Sequence, residues 1–141
     1  MTVERATIDN LGGLERFART FAQTLRPGDV VALAGDLGAG KTTLVRALVR
    51  ALHGSDPATS PTFTFWHQYD EGTPPVHHLD LYRLENLRER VELGLEEAFV
   101  PEAIVLVEWP ERAPDLFGES TIWVSLAGSG EGRREIEVRR P

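Results

Sequence analysis

Val30-Val31-Ala32-Leu33-Ala34-Gly35-Asp36-Leu37-Gly38-Ala39-Gly40-Lys41-Thr42-Thr43 is the stretch from which the rest of the chain can be read. It opens with five apolar residues in a row, the pattern of a strand buried on both faces. Glycines at 35, 38 and 40 then let the backbone turn tightly and take positive φ. Residues 35–42 fit the spacing G-x-x-x-x-G-K-[ST], in which backbone N–H groups converge on phosphate oxygens. Thr42 to Leu52 follows with Leu44, Leu48 and Leu52 on one stripe, which predicts a helix whose positive N-terminal end faces those phosphates. Strand, glycine-rich loop and helix are the context this spacing requires.

Lys41 gains weight from the rest of the composition. Lys and Arg total 15 of 141 residues, and Lys41 is the single lysine among them. Arginine does most surface work that lysine does. In a tight phosphate loop, a compact ammonium on a flexible stem reaches where a broad planar fork does not fit. The solitude of Lys41 also excludes the Asn-Lys-x-Asp pattern of guanine selection, and with it the usual GTPase reading.

Outward from the loop, Leu14, Phe17, Ala18, Phe21, Ala22 and Leu25 recur at helical spacing and end at the turn Arg26-Pro27-Gly28-Asp29. Phe63 to Tyr69 and Val76 to Tyr82 predict a hairpin around residues 70–75. Alternation puts Val76, His78, Asp80 and Tyr82 on one face and His77, Leu79 and Leu81 on the other. Leu84 to Phe99 predicts a helix broken at Gly94. Ala103 to Val107 is a second buried strand, ending at Glu108-Trp109-Pro110, and residues 111–119 predict a loop. Thr121 to Leu126 and Arg134 to Val138 predict a last hairpin. The order α-β-α-β-β-α-β-β-β gives one α/β domain over residues 1–141. Its fold is P-loop NTPase-like, a mixed central sheet with parallel core strands, antiparallel additions and flanking helices.

The 41% apolar and 26% charged composition is that of a globular protein. A net charge of −7 argues against a broad nucleic-acid footprint. Cysteine is absent, which excludes disulfides, thiolate catalysis and cysteine-based zinc sites. No apolar run approaches the ~18 residues of a membrane span, and the expected location is cytoplasmic.

A Mg-nucleotide needs a carboxylate at the end of a neighbouring strand. Glu108, closing the run 103–107, is one candidate. Asp80, set among apolar residues, is the other, because a carboxylate there is costly without a cation or partner; an ion pair with Arg83 is its structural alternative. His77 and His78 point to opposite faces and lack a second ligand at a familiar spacing, so structural or hydrogen-bonding roles are expected of them. Trp109 adjoins Glu108.

Taken together, residues 35–43, Ser60-Pro61-Thr62-Phe63, His78-Leu79-Asp80-Leu81-Tyr82-Arg83-Leu84 and Val107-Glu108-Trp109-Pro110-Glu111 closely resemble the TsaE (YjeE) family, over about residues 10 to 138. The resemblance implies a small ATPase that works with TsaD and TsaB in making threonylcarbamoyladenosine (t6A) at position 37 of tRNA. It implies that Leu37, Gly38, Ala39, Gly40, Lys41, Thr42 and Thr43 hold the ATP phosphates, and that Thr42 and Glu108 hold Mg²⁺. Lys41, Asp80 and Glu108 become the catalytic set, with Asp80 a catalytic or water-orienting acid. Thr62 falls in a switch-like segment near the γ-phosphate, and Trp109 beside the nucleotide or partner surface. Arg133 of Gly132-Arg133 is placed near the adenine, with the segment ending at Leu11 covering the base from another side. Hydrolysis is expected to be slow alone and faster with partners, since no activating arginine stands out. A small-molecule kinase and a non-catalytic ATP-sensing adaptor on the same scaffold are the alternatives. Direct tRNA contact is not favoured by the acidic charge.

Overall fold

The computed structural model describes residues 1–36, 38–54, 65–70, 72–128 and 132–141. Leu37, Thr62 and the segment Ser60-Pro61-Thr62-Phe63 lie outside the described residues. The described chain builds one seven-stranded sheet with the order β1-β7-β6-β2-β5-β4-β3. The strands are β1 (Thr2–Ile8), β2 (Val30–Gly35), β3 (Trp66–Tyr69), β4 (Val76–Asp80), β5 (Ile104–Glu108), β6 (Ile122–Gly128) and β7 (Arg134–Arg140). The helices are α1 (Leu11–Ala22), α2 (Lys41–His53) and α3 (Leu87–Glu92).

The two apolar runs take the centre. β2 pairs in parallel with β5 on one side and β6 on the other, and β5 pairs in parallel with β4. The antiparallel additions are β3 on β4, β7 on β6 and β1 on β7. Period-two alternation then divides the core. Val31 and Leu33 of β2, with Ile104 and Leu106 of β5, pack under α1 and α2 against Leu14, Phe21, Leu44 and Leu48. Val105 and Val107 face the other way, onto Leu79, Leu81, Leu84, Leu95 and Ala98. Both faces of the central strands are therefore covered, as continuous apolar runs require.

Three stretches differ from the prediction. The chain begins with a strand, not a helix. β1 pairs with β7 from Thr2↔Arg140 to Ile8↔Arg134, and five of its seven residues are exposed. An edge strand with so little buried surface leaves almost no hydrophobic pattern. The predicted helix over 84–99 breaks at Gly94 as expected, where φ is 65°, but α3 begins only at Leu87 and the part beyond the break is a 3-10 turn at Leu95–Ala98. Asn86 caps α3, its side chain accepting from Glu89 N–H. Residues 110–112 and 114–116, read as loop, form two 3-10 turns that each start on proline.

Candidate nucleotide site

The C-terminal ends of β2, β5 and β4 meet along one edge of the sheet, and parallel α/β sheets place ligands outside such ends. Gly35 ends β2, Glu108 ends β5 and Asp80 ends β4. Asp80 and Glu108 stand opposite one another in register.

From Gly35 the backbone bends into the loop. A Cβ at Gly35 would lie 2.6 Å from the Leu126 carbonyl oxygen, so β6 runs too close for any side chain. Gly38 and Gly40 take φ 83° and 99°. Ala39 N–H bonds Asp36 O at 3.0 Å, and Leu44 N–H bonds Gly40 O at 2.9 Å as α2 begins. Lys41, the first residue of α2, is only 4% exposed. It donates to the Gly35 carbonyl, and its ammonium lies 3.3 Å from the centroid of the Trp109 ring. Burial pushes the Lys41 ammonium below its ordinary pKa, while Glu108, Glu111, Asp80 and Asp36 oppose that shift. Thr42 and Thr43 lie exposed on the first turn.

Glu108 is 2% exposed. Thr42 Oγ1 donates to it, 3.0 Å from Oε1 and 3.3 Å from Oε2. His78 Nε2 lies 2.6 Å from Oε2. Asp80 is half-buried, and its Oδ1 accepts from Tyr82 N–H at 3.1 Å. Trp109 takes φ 59°, the one non-glycine with positive φ among the described residues. The kink turns its ring back over Lys41 and against Tyr82, at 4.9 Å between centroids.

The structure thus brings Lys41, Thr42, Glu108, Asp80 and Trp109 together. Arg133 and Leu11 lie at the β1–β7 end of the same sheet. Arg133 Nε pairs with Asp9 Oδ1 at 3.2 Å, and Leu11 starts α1, well exposed. The neighbouring Arg134 lies beside the loop, its Nε 3.5 Å from where a Gly40 Cβ would stand. His78 emerges as part of the site, whereas His77 points away and bonds the Ala98 carbonyl at 2.8 Å. Only alternation hinted at this, by placing His78 on the face of Asp80. The partner carboxylate sits 30 positions further on.

The donors suit magnesium. A hydroxyl and a carboxylate are hard oxygen ligands, and Mg²⁺ commonly takes one or two such groups with phosphates and waters completing its shell. Among the described residues no group of three or more His, Cys, Asp or Glu could hold a metal ion. An ion here would depend on the oxygens of a phosphate ligand.

Sheet order and strand directions define a mixed α/β protein with parallel core strands. The chain belongs to the TsaE family: the family model for "Threonylcarbamoyl adenosine biosynthesis protein TsaE" matches residues 8–136. The tRNA threonylcarbamoyladenosine biosynthesis protein TsaE of Nostoc sp. is 41% identical over 156 residues, covering 98% of this chain and 91% of that protein. The Bacillus subtilis protein of the same description is 37% identical over 119 residues, covering 84% and 74%. The crystal structure of Bacillus subtilis YdiB superimposes with a TM-score of 0.81 at 29% identity, covering 99% of this chain and 86% of that one. The chain is thus a member of a family of t6A biosynthesis proteins.

Proposed function

We propose that this protein is a small ATPase that binds Mg-ATP through residues 37–43 and hydrolyses it in support of the TsaD–TsaB machinery. The observation that carries the reading is the convergence of Lys41, Thr42 and Glu108 at the mouth of a glycine-rich loop, with Thr42 Oγ1 3.0 Å from Glu108 Oε1.

Hydrolysis adds water to the γ-phosphorus and breaks its bond to the bridging oxygen, giving ADP and phosphate. Loop N–H groups and the start of α2 supply fixed dipoles for the oxygens on which charge develops. Lys41 neutralises charge on the β- and γ-phosphates once they draw its ammonium from the Gly35 carbonyl. Thr42 and Glu108 would hold Mg²⁺, which when bound supplies charge neutralisation at the same oxygens. Asp80, half-buried at the end of β4, would accept a hydrogen bond from the attacking water and take up its proton. Trp109 excludes water from Lys41.

Thr62 is assigned to a switch-like segment, and Arg133 and Leu11 to the base. Among the described residues no helix is long and apolar enough to cross a membrane, and a cytoplasmic location goes with a role on tRNA. The net charge of −7 favours protein partners over direct tRNA contact.

The test is nucleotide turnover with and without purified TsaB–TsaD. Slow hydrolysis alone, rising in the complex, is expected. Equal rates would sink the activation claim. Normal ATP binding with no hydrolysis in either condition would make the protein an ATP-sensing adaptor, and transfer to a metabolite rather than water would make it a kinase.

A further inference from the structure

We infer that His78 is a positioning residue for the carboxylate of Glu108, engaging one of its two oxygens so that the site presents the other, and that this tunes the site to magnesium over calcium. The inference rests on the nucleotide reading above.

The two side chains are among the few buried polar ones, His78 at 6% exposure and Glu108 at 2%. Their contact, 2.6 Å from Nε2 to Oε2, is short even for a bond to a charged acceptor. An ionised carboxylate only accepts, so Nε2 carries the proton and donates it. The imidazole has little freedom to do otherwise. His78 lies inside β4, paired with Leu106 of β5 and with His67 of β3. The His67 ring stacks on it at 5.8 Å between centroids. A buried ring on a strand paired on both sides, and stacked on His67, restrains the rotation of the carboxylate it holds.

That rotation has a chemical consequence. Oε2 is committed to His78, and Thr42 Oγ1 is nearer to Oε1. A glutamate held this way offers one oxygen beside the threonine hydroxyl. Mg²⁺ is small, octahedral and content with a single carboxylate oxygen. Ca²⁺ takes six to eight ligands and readily accepts both oxygens of one carboxylate. Without the imidazole, Glu108 could turn and offer both oxygens, and it would lose its buried donor.

The experiment is calorimetric titration of ATP into the parent protein, His78→Leu and His78→Gln, each in Mg²⁺, in Ca²⁺ and in EDTA, with thermal melts to confirm folding. The parent is expected to bind ATP more tightly with Mg²⁺ than in EDTA. His78→Leu should lose about ten- to a hundredfold of that magnesium gain, while affinity in EDTA stays within about twofold, the usual reach of an outer partner of a metal ligand. Its ratio of magnesium-supported to calcium-supported affinity should fall. His78→Gln, whose amide donor sits near the position of Nε2, should recover most of both. A His78→Leu protein with the parent's magnesium gain and ion preference overturns the inference, as does a His78→Gln protein no better than His78→Leu. If the parent itself shows no magnesium gain, the nucleotide reading falls and takes this one with it; if the parent gains and His78→Leu gains equally, only the role of His78 falls. Should both variants unfold, imidazole ¹⁵N spectra of the parent still decide: a protonated, slowly exchanging Nε2 on His78 is expected, and an unprotonated Nε2 refutes the arrangement.

Discussion

The ammonium of Lys41 stands 3.3 Å from the centroid of the Trp109 ring. A cation over an indole face, shielded from water, is stabilised by about 2 kcal/mol or more. Trp109 also holds a backbone conformation that costs a bulky residue about 1–3 kcal/mol, a kind of strain that tends to gather at functional sites. Phosphates compete with the ring and the Gly35 carbonyl for one lysine. ATP binding should therefore change tryptophan fluorescence, and Trp109→Phe should remove most of the change while Trp66→Phe and Trp123→Phe leave it. An ATP-induced change that survives Trp109→Phe undiminished would count against this competition.

Lys41→Arg tests the lysine more sharply than Lys41→Ala. The chain uses arginine at every other basic position, but this side chain must fit between Gly35 and Trp109. Both variants should fold, and both should lose about a hundredfold or more in turnover, as removal of one charge-stabilising donor does. Turnover in Lys41→Arg near the parent's would show that a point charge is not what the loop needs.

Asp80 and Glu108 face each other across β4 and β5 but should fail differently when neutralised. Asp80→Asn should bind Mg-ATP within about threefold of the parent and slow single-turnover hydrolysis by about 10²–10⁴, the range of a general base. Glu108→Gln should lose the magnesium-dependent part of binding itself. Matching losses in both assays for both variants would remove this division of roles.

Two glycines of the loop predict opposite tolerances. A methyl group at Gly35 meets the Leu126 carbonyl at 2.6 Å, whereas one at Gly38 meets nothing within 4 Å. Gly38→Ala should cost only the strain of positive φ, about 1–2 kcal/mol. Gly35→Ala should cost more, about 2–4 kcal/mol, because β2 and β6 must separate. Chemical denaturation of the two variants checks the order.

Arg90 is buried and grips Asp115 with two bonds, at 2.7 and 2.8 Å, and Glu96 with a third at 2.7 Å. The guanidinium holds the Asp115 carboxyl below its ordinary pKa. A lowered carboxyl value means that the clamp is complete above the ordinary carboxylate range and is lost as pH falls through the lowered value. The parent should therefore melt above Asp115→Asn near neutrality, and the gap should close as pH falls below the ordinary carboxylate range. A gap that persists unchanged at the lowest pH would contradict the assignment.

The interior was far more legible than the edges. β2 and β5 declare themselves as apolar runs because both of their faces are covered, and α2 because Leu44 and Leu48 repeat over the sheet. β1 was invisible because its stability comes from β7, more than a hundred residues away, and its own side chains are mostly in water. The start of α3 was marked after all: Asn86 and Glu89 have the spacing of a capping box, and apolar periodicity across Leu84 to Phe99 masked it. In the site, Lys41, Thr42 and Glu108 could be found from local spacing. The grip of His78 on Glu108 could not, since it depends on the register of β4 against β5, which no stretch of either strand records.

The bond from Thr42 to Glu108 joins side chains 66 positions apart, and His78 reaches the same carboxylate from a third element. None of the three neighbours another in the chain, so the cluster comes into being only when α2, β4 and β5 have all docked. One residue of slip in β4 would turn the imidazole to the wrong face of the sheet. A ligand that needs this cluster binds the finished fold and no earlier state, and so draws the folding equilibrium toward completion in proportion to its concentration. The nucleotide would then act as an inspector of assembly: a molecule that can hold it has, by that fact, its central strands in the right register.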